Sequence, residues 1–111
     1  MMSRVTPPTV QQALELGIGH ENAGRFADAE RVYRDILQQH PNDPSALHLL
    51  GRIAMRFGQI PAAEQLIRRA TVLGPGVAQR HHDLGIALHA LGRLDEAIEA
   101  LQKGGQPALA A

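Results

Sequence analysis

Apolar residues along this chain recur three or four positions apart, with polar and charged residues between them. The spacing is clearest in two stretches near the middle, which hold Leu47, Leu50, Ile53 and Ala54, and then Leu66, Ile67, Ala70 and Leu73. Such spacing gathers apolar side chains on one face of an α-helix, whereas a half-buried strand would alternate them. The pattern therefore predicts an all-α chain, with helices near residues 9–23, 26–39, 44–57, 60–73, 77–91 and 94–103.

Glycine and proline divide these helices into pairs. Gly24, Gly58 and Gly92 fall between the two helices of each pair, where glycine can adopt the left-handed conformation that ends a helix. Pro41 and Pro75 follow the second helices and cannot continue them. The segment 42–45 between two pairs supplies turn and capping residues for the next helix. The connections are short, which predicts antiparallel neighbours.

Three groups of residues recur at a spacing of 34. They are Leu16-Gly17, Leu50-Gly51 and Leu84-Gly85; Gly24, Gly58 and Gly92; and Ala29, Ala63 and Ala97. A fixed period of this length indicates a solenoid in which each unit buries its apolar face against the next. The small residues in the first and third groups mark where two helix backbones approach closely, so a bulky side chain there is expected to split the pair.

The recurring positions resemble the tetratricopeptide repeat, a helix-turn-helix unit of about 34 residues. The second copy matches best, with Leu47, Leu50, Gly51, Ala54, Gly58, Ala63, Ile67, Ala70 and Pro75. The resemblance extends over roughly residues 10–104. It implies an all-α, right-handed α-solenoid of three such repeats.

This resemblance divides the chain into a leader, three repeats and a tail. The leader is 1–9, the repeats are 10–43, 44–77 and 78–104, and the tail is 105–111. The third repeat has an incomplete end, because Gly104 to Pro107 break the helix and Ala108 to Ala111 are too short to form a capping helix. Terminal units of a solenoid need a solvated outer surface. We therefore expect either that another chain covers this face or that the sequence is a fragment of a longer protein.

Composition narrows the classes of function. The 111 residues carry no net charge with histidine neutral, so the chain lacks the broad basic field that favours nucleic acid. Without cysteine there are no disulfides or thiol nucleophiles, which favours a cytoplasmic location. The first nine residues lack the apolar run of a signal peptide or membrane span. We expect neither nucleic acid nor membrane as a partner, and the predominance of arginine over lysine hints at a bacterial source.

In the family that the chain resembles, the first helix of each repeat lines a concave groove that binds ligands. Carried onto this sequence, the resemblance gives a peptide-binding groove of Leu14, Ile18, His48, Arg52, Met55, Arg56, His82, Ile86 and His89. Arginines at 52 and 56 would pair with an acidic or carboxylate group of a peptide, and the apolar residues would anchor its neighbours. Alternatively, the two arginines form a solvated helix face, and Leu14, Ile18 and Ile86 fill space between first helices.

A more specific groove is not expected. Family members that hold a chaperone's terminal carboxylate use Lys, Asn and Arg at set positions, which here are Leu14, Ile18, Leu49, Gln79 and Asp83. The carboxylate clamp is therefore absent from this sequence. The asparagine ladder of glycosyltransferase-linked arrays is absent too, since its positions hold Glu15, Leu49 and Asp83.

The six histidines suggest a metal site, but their spacing argues against one. His82 and His89 share a helix face yet lie about 10 Å apart along the axis, and no carboxylate is placed to complete a site with His48. His20 and His81 fall at packing positions. No phosphate-binding loop, zinc-protease motif or nucleophile elbow occurs. We expect no metal, no cofactor and no catalytic activity.

The sequence thus predicts a non-catalytic protein-interaction module that binds a peptide or protein segment in its concave groove. Two alternatives remain open at this stage. The chain can be the N-terminal region of a larger bacterial enzyme of the glycosyl- or sulfotransferase type. It can also be a scaffold that assembles with copies of itself through the uncapped third repeat.

Overall fold

The computed structural model describes residues 7–105, which form six α-helices and no strand. In chain order they are α1 (Val10–Asn22), α2 (Phe26–Gln39), α3 (Pro44–Arg56), α4 (Ile60–Leu73), α5 (Ala78–Ala90) and α6 (Leu94–Lys103). Every predicted helix bound lies within one residue of these. The first helices of the pairs begin at Val10, Pro44 and Ala78, so each starts at the same position of the repeat. The all-α solenoid expected from the period is confirmed. Residues 1–6 of the predicted leader and 106–111 of the predicted tail lie outside the described residues.

The starts of α1 and α3 are fixed by side-chain caps. Thr9 accepts a hydrogen bond from the backbone N–H of Gln12 at 3.1 Å, and the Gln12 side chain accepts one from the Thr9 N–H at 2.9 Å. Asp43 accepts from the backbone N–H groups of Ser45 and Ala46, both at 3.1 Å. These contacts satisfy backbone donors that have no partner inside the helix, so the local sequence sets where each helix begins.

The turn inside each pair depends on glycine. Gly24, Gly58 and Gly92 have φ angles of 77°, 77° and 79°. This left-handed region is unfavourable for a residue with a Cβ atom. The three glycines therefore reverse the chain in the same way in each pair, as the sequence predicts.

The two helices of each pair approach closely at the glycines of the first group, Gly17, Gly51 and Gly85. A Cβ atom on Gly51 would lie 2.6 Å from Cγ1 of Ile67 and 3.3 Å from the carbonyl oxygen of Ala63. A Cβ atom on Gly85 would lie 2.7 Å from Cγ of Leu101. One on Gly17 would overlap the ring of Tyr33. The predicted close approaches are thus confirmed in all three pairs.

The core runs along the stack as two clusters of buried side chains. The first joins α1, α2 and α3, and holds Leu14, Ala29, Tyr33, Ile36, Ala46, Leu49, Leu50 and Ile53. The second joins α4, α5 and α6, and holds Ile67, Leu84, Leu88, Ala97 and Ala100, with Met55 of α3 packed against it. Each pair therefore buries its apolar face against the next pair, as a solenoid requires.

The second helices α4 and α6 are also joined by an ion-pair network on their outer side. Arg68 contacts Glu64 at 2.5 Å and Glu96 at 3.3 Å. Arg93 contacts Glu96 at 2.6 Å and Glu64 at 3.6 Å. Because Glu64 is buried and shared by both arginines, the network fixes α6 against α4. None of the helices in residues 7–105 has the length and apolar character needed to cross a membrane.

Candidate binding groove on the first helices

The nine residues predicted for the groove fall into three classes of exposure. Ile18, Arg52, Arg56, Ile86 and His89 are exposed, Met55 and His82 are half-buried, and Leu14 and His48 are buried. Leu14 belongs to the first core cluster, and Met55 packs against the second. These two side chains therefore fill space between helices, which is the alternative that the sequence left open for Leu14.

A concavity between α1 and α3 brings three of the predicted residues together. Its volume is about 240 Å³, and its lining comprises Gln11, Leu14, Ile18, Ser45, His48, Leu49 and Arg80. All but one of these residues belong to α1 or α3, and Arg80 reaches in from α5. The first helices α1 and α3 thus share a recess that one side chain of α5 also lines.

One repeat position forms an exposed row across this face. Ile18, Arg52 and Ile86 occupy equivalent positions of the three repeats, one on each first helix. The isoleucines remain 40% and 44% exposed. Arg52 makes no ion pair within residues 7–105. Among the residues that the structure describes, the row therefore offers one cation without an ion-pair partner between two accessible apolar side chains.

A buried polar contact joins α3 to α5 beside this row. The imidazole Nε2 of His48 donates to Oδ2 of Asp83 at 2.7 Å, and the amide of Gln79 donates to Oδ1 of Asp83 at 2.8 Å. Burial alone would raise the pKa of Asp83. The hydrogen bonds from His48 and Gln79, with the charges of His48 and Arg52, outweigh burial and hold that pKa below its ordinary value. Asp83 is thus an ionised carboxylate that links two repeats.

A second polar link crosses the same junction one turn earlier. Arg80 is buried, and it donates to the carbonyl oxygen of Gly74 at 3.0 Å and to the hydroxyl of Ser45 at 2.9 Å. Burial lowers the pKa of its guanidinium, and the charge of Asp43 opposes that effect. The two links fix the spacing of α3 and α5, and hence the distance between Arg52 and Ile86.

The Asp83 contact predicts a pH dependence of stability. The folded-state pKa of Asp83 lies below the unfolded value of about 3.9, so the contact stabilises the folded state above that pH. This stabilisation is lost as the pH falls through the folded-state pKa. We expect Asp83→Asn to lower the free energy of unfolding at pH 7 by roughly 1–3 kcal/mol. The difference from the wild type should shrink as the pH falls below about 4.

Denaturant titrations across pH test this expectation, with Asp35→Asn as the control. Asp35 is exposed on α2 and makes no side-chain hydrogen bond within residues 7–105. Its variant should follow the wild type at every pH. If the free energy of unfolding of Asp83→Asn differs from that of the wild type by the same amount from neutral to acidic pH, the role assigned to Asp83 is wrong.

Arg56 is held differently from Arg52. Its guanidinium carbon lies 4.3 Å from the centre of the Phe26 ring, a cation–π distance. Phe26 in turn meets Phe57 edge to face, with 5.9 Å between ring centres. Arg56 therefore links the end of α3 to the start of α2 as well as carrying an exposed charge, and it is less free than Arg52 to pair with a ligand.

The histidines do not form a cluster. Within residues 7–105 no three His, Asp or Glu side chains are arranged to hold a metal ion. His20 accepts a hydrogen bond from Arg25 at 3.1 Å, and His81 donates to the carbonyl oxygen of Pro75 at 2.8 Å. Both side chains are half-buried, consistent with their predicted packing positions.

Two residues important to the groove were not predicted from the sequence. The sequence marks Asp83 only as a residue that departs from the carboxylate clamp and the asparagine ladder, and it gives Arg80 no role. The available signal was the repeat register, since residues about one repeat apart, such as His48 and Asp83, occupy adjacent places on parallel helices. A comparison of each first helix with the next would have paired these two residues.

Comparisons with known proteins agree with this architecture. A tetratricopeptide repeat family model matches residues 14–78, and a second matches residues 78–103. In sequence, 57 residues are 35% identical to cellulose synthase 2 operon protein C of Komagataeibacter xylinus, a match that covers 51% of this chain and 4% of that protein.

Two solved structures are similar in both fold and sequence. A mutant O-GlcNAc transferase of Thermobaculum terrenum superposes with a TM-score of 0.81 and 33% identity, over 85% of this chain and 18% of the transferase. MamA of Desulfovibrio magneticus superposes with a TM-score of 0.75 and 26% identity, over 85% of this chain and 53% of MamA. This chain therefore spans about half of MamA and much smaller shares of the other two proteins. Since the first family model alone matches more than half of the residues, the chain belongs to the tetratricopeptide repeat family, whose repeats are protein–protein interaction modules.

Proposed function

We propose that this chain is a non-catalytic module that binds a peptide or protein segment along the face formed by α1, α3 and α5. The observation that carries the proposal is the exposed row of Ile18, Arg52 and Ile86. Arg52 has no ion-pair partner in the described part of the chain and lies between two half-exposed isoleucines. This arrangement suits a ligand that carries a carboxylate between two apolar side chains.

The spacing of the row suggests the form of that ligand. Packed helices have axes about 8–10 Å apart, and an extended chain advances about 3.3 Å per residue. Neighbouring members of the row are therefore about three residues apart along an extended peptide. The expected ligand has an aliphatic residue, then an acidic residue about three positions on, and then a second aliphatic residue after the same interval.

Selection from a displayed library of random peptides, each long enough to span three helices, tests the proposal. The wild type should enrich the aliphatic–acidic–aliphatic pattern in either chain direction. The matched control is Ile18→Glu, which places a negative charge at one end of the row and should deplete that pattern. No enrichment above background, or the same sequences enriched by both proteins, would overturn the proposal.

A second candidate function follows from the lengths of the relatives. This chain matches 18% of the O-GlcNAc transferase and 4% of the cellulose synthase operon protein. Such a chain can act as the repeat region of a larger enzyme that presents substrates or partners to a catalytic domain. Sequencing of the transcript beyond the codon for Ala111 distinguishes a repeat region of a larger enzyme from a separate binding module. A frame that continues into a catalytic domain supports this candidate, and a stop codon there removes it.

A further inference from the structure

The outer face of α1 has an uncovered apolar residue that is buried in the other two repeats. Leu50 and Leu84 are 5% and 6% exposed, whereas Leu16, the equivalent residue of the first repeat, is 55% exposed. Leu84 packs in a cluster with Ile67 of the preceding pair. No preceding pair covers Leu16 within residues 7–105. The outer face of α1 therefore has the apolar character of an internal junction, and no helix of residues 7–105 covers it.

The junction between the second and third repeats shows what chemistry such a contact uses. On one side His48 of α3 supplies an imidazole Nε2–H. On the other side Gln79 and Asp83, four residues apart on α5, supply a carboxylate already held by an amide. The two halves meet with 2.7 Å between His48 Nε2 and Asp83 Oδ2.

The two ends of the stack carry the same two groups that meet at this junction, an imidazole and a carboxylate with a nearby amide. His82 on α5 stands one repeat after His48, at the equivalent position of the last repeat. In the first repeat, Gln11 occupies the position equivalent to Gln79 of the third repeat. Glu15 likewise occupies the position equivalent to Asp83, so α1 also carries an amide and a carboxylate. The end of the stack thus offers an imidazole, and its beginning offers a carboxylate with an amide one helical turn away.

Neither half has a partner within residues 7–105. Glu15 is exposed and makes no ion pair or side-chain hydrogen bond there. The side chain of His82 makes no hydrogen bond to the described residues, and its Nδ1 is buried there without a partner. Both side chains are therefore available to a partner outside these residues.

We propose that a second copy of this chain stacks its α1 against α5 and α6 of the first, continuing the register of the repeats. In that arrangement His82 of one copy donates to Glu15 of the next, as His48 donates to Asp83. Leu16 packs beside Leu101, which is 6% exposed and stands in the place of Ile67, as Leu84 packs with Ile67. The contact joins different surfaces of identical chains, so it does not close on itself, and further copies can add at either end.

This inference does not depend on the proposed ligand of the groove. The stacking surfaces are the outer face of α1 and the terminal faces of α5 and α6, whereas the ligand row consists of Ile18, Arg52 and Ile86. Stacking would place Ile18 of one copy beside Ile86 of the next. A peptide selection that fails leaves the stacking test unaffected, and a monomeric protein leaves the groove proposal unaffected.

Sedimentation equilibrium over a concentration series, from about 1 μM to about 1 mM, tests the proposal. The weight-average molecular mass should rise with protein concentration and should not level off at the mass of a dimer. Glu15→His and His82→Glu should each weaken association about tenfold, because they place like groups opposite each other. The double variant exchanges the imidazole and the carboxylate between the two surfaces, so it should restore most of the affinity of one copy for the next. His89→Glu, a change at an exposed histidine of the same helix, should have no effect.

Several results would overturn the proposal. These are a monomer at all concentrations, a mass that levels at a dimer, or association that neither Glu15→His nor Leu16→Glu weakens. Glu15 and Leu16 are exposed on α1, so their variants should fold even if His82→Glu does not. Thermal melting of each variant, followed by circular dichroism, confirms that the fold is intact.

Discussion

Replacing Gly51 with leucine is expected to destabilise the protein by about 1–3 kcal/mol or more. The first added atom would lie 2.6 Å from Cγ1 of Ile67 and 3.3 Å from the carbonyl oxygen of Ala63. Ile67 is fully buried in the second core cluster, so it has little room to move away. The substitution therefore forces α3 and α4 apart, and the loss of packing is expected to extend to the third repeat.

Urea denaturation of the variant measures this effect, with Gly19→Leu as the matched control. Gly19 is also a helical glycine, but a Cβ atom there would meet nothing within 4 Å. Leucine is the better helix former, so the control should be neutral or slightly stabilising. If both variants unfold at the same urea concentration as the wild type, the close-approach assignment at Gly51 is wrong.

Reversing the charge of Arg52 is expected to reduce affinity for a selected acidic peptide by about tenfold to a hundredfold. Arg52 has no ion-pair partner within residues 7–105, so its charge is available to the ligand. Arg56 is held over the ring of Phe26, so Arg56→Glu should have a smaller effect. The double reversal of Arg52 and Arg56 should abolish measurable binding.

Fluorescence anisotropy with a labelled peptide gives these affinities. The decisive comparison uses a second peptide in which the acidic residue is changed to arginine. It should bind Arg52→Glu more tightly than it binds the wild type, because the charges are again opposite. If every variant binds both peptides as the wild type does, the charged contact lies elsewhere.

The fold could be predicted almost completely from the sequence because the features that set it are local and repeated. Gly58 reverses the chain by a backbone conformation that only glycine adopts easily, and Gly51 permits a close approach that only a small residue allows. Each constraint occurs in all three repeats, so every copy reinforces the others. Helix bounds followed directly, since Asp43 and Pro44 both favour the start of α3.

The candidate site was less predictable because it depends on contacts between repeats. His48 was expected to face the groove, and it is buried against Asp83 on the next first helix. Such a pair depends on the distance between two helices and on rotamers, which helical periodicity does not specify. Arg56 was expected to act with Arg52, but the Phe26 ring holds it. That contact also depends on side-chain orientation, since the two residues lie on different helices.

The central claim is that the face of α1, α3 and α5 binds the ligand, and mapping of amide chemical shifts tests it most directly. A nitrogen-15-labelled sample is titrated with the best selected peptide, and backbone signals are followed in two-dimensional NMR spectra. We predict the largest shifts around Ile18, Arg52 and Ile86, with small shifts on the outer sides of α2, α4 and α6. Largest shifts on those second helices, with the row unchanged, would contradict it.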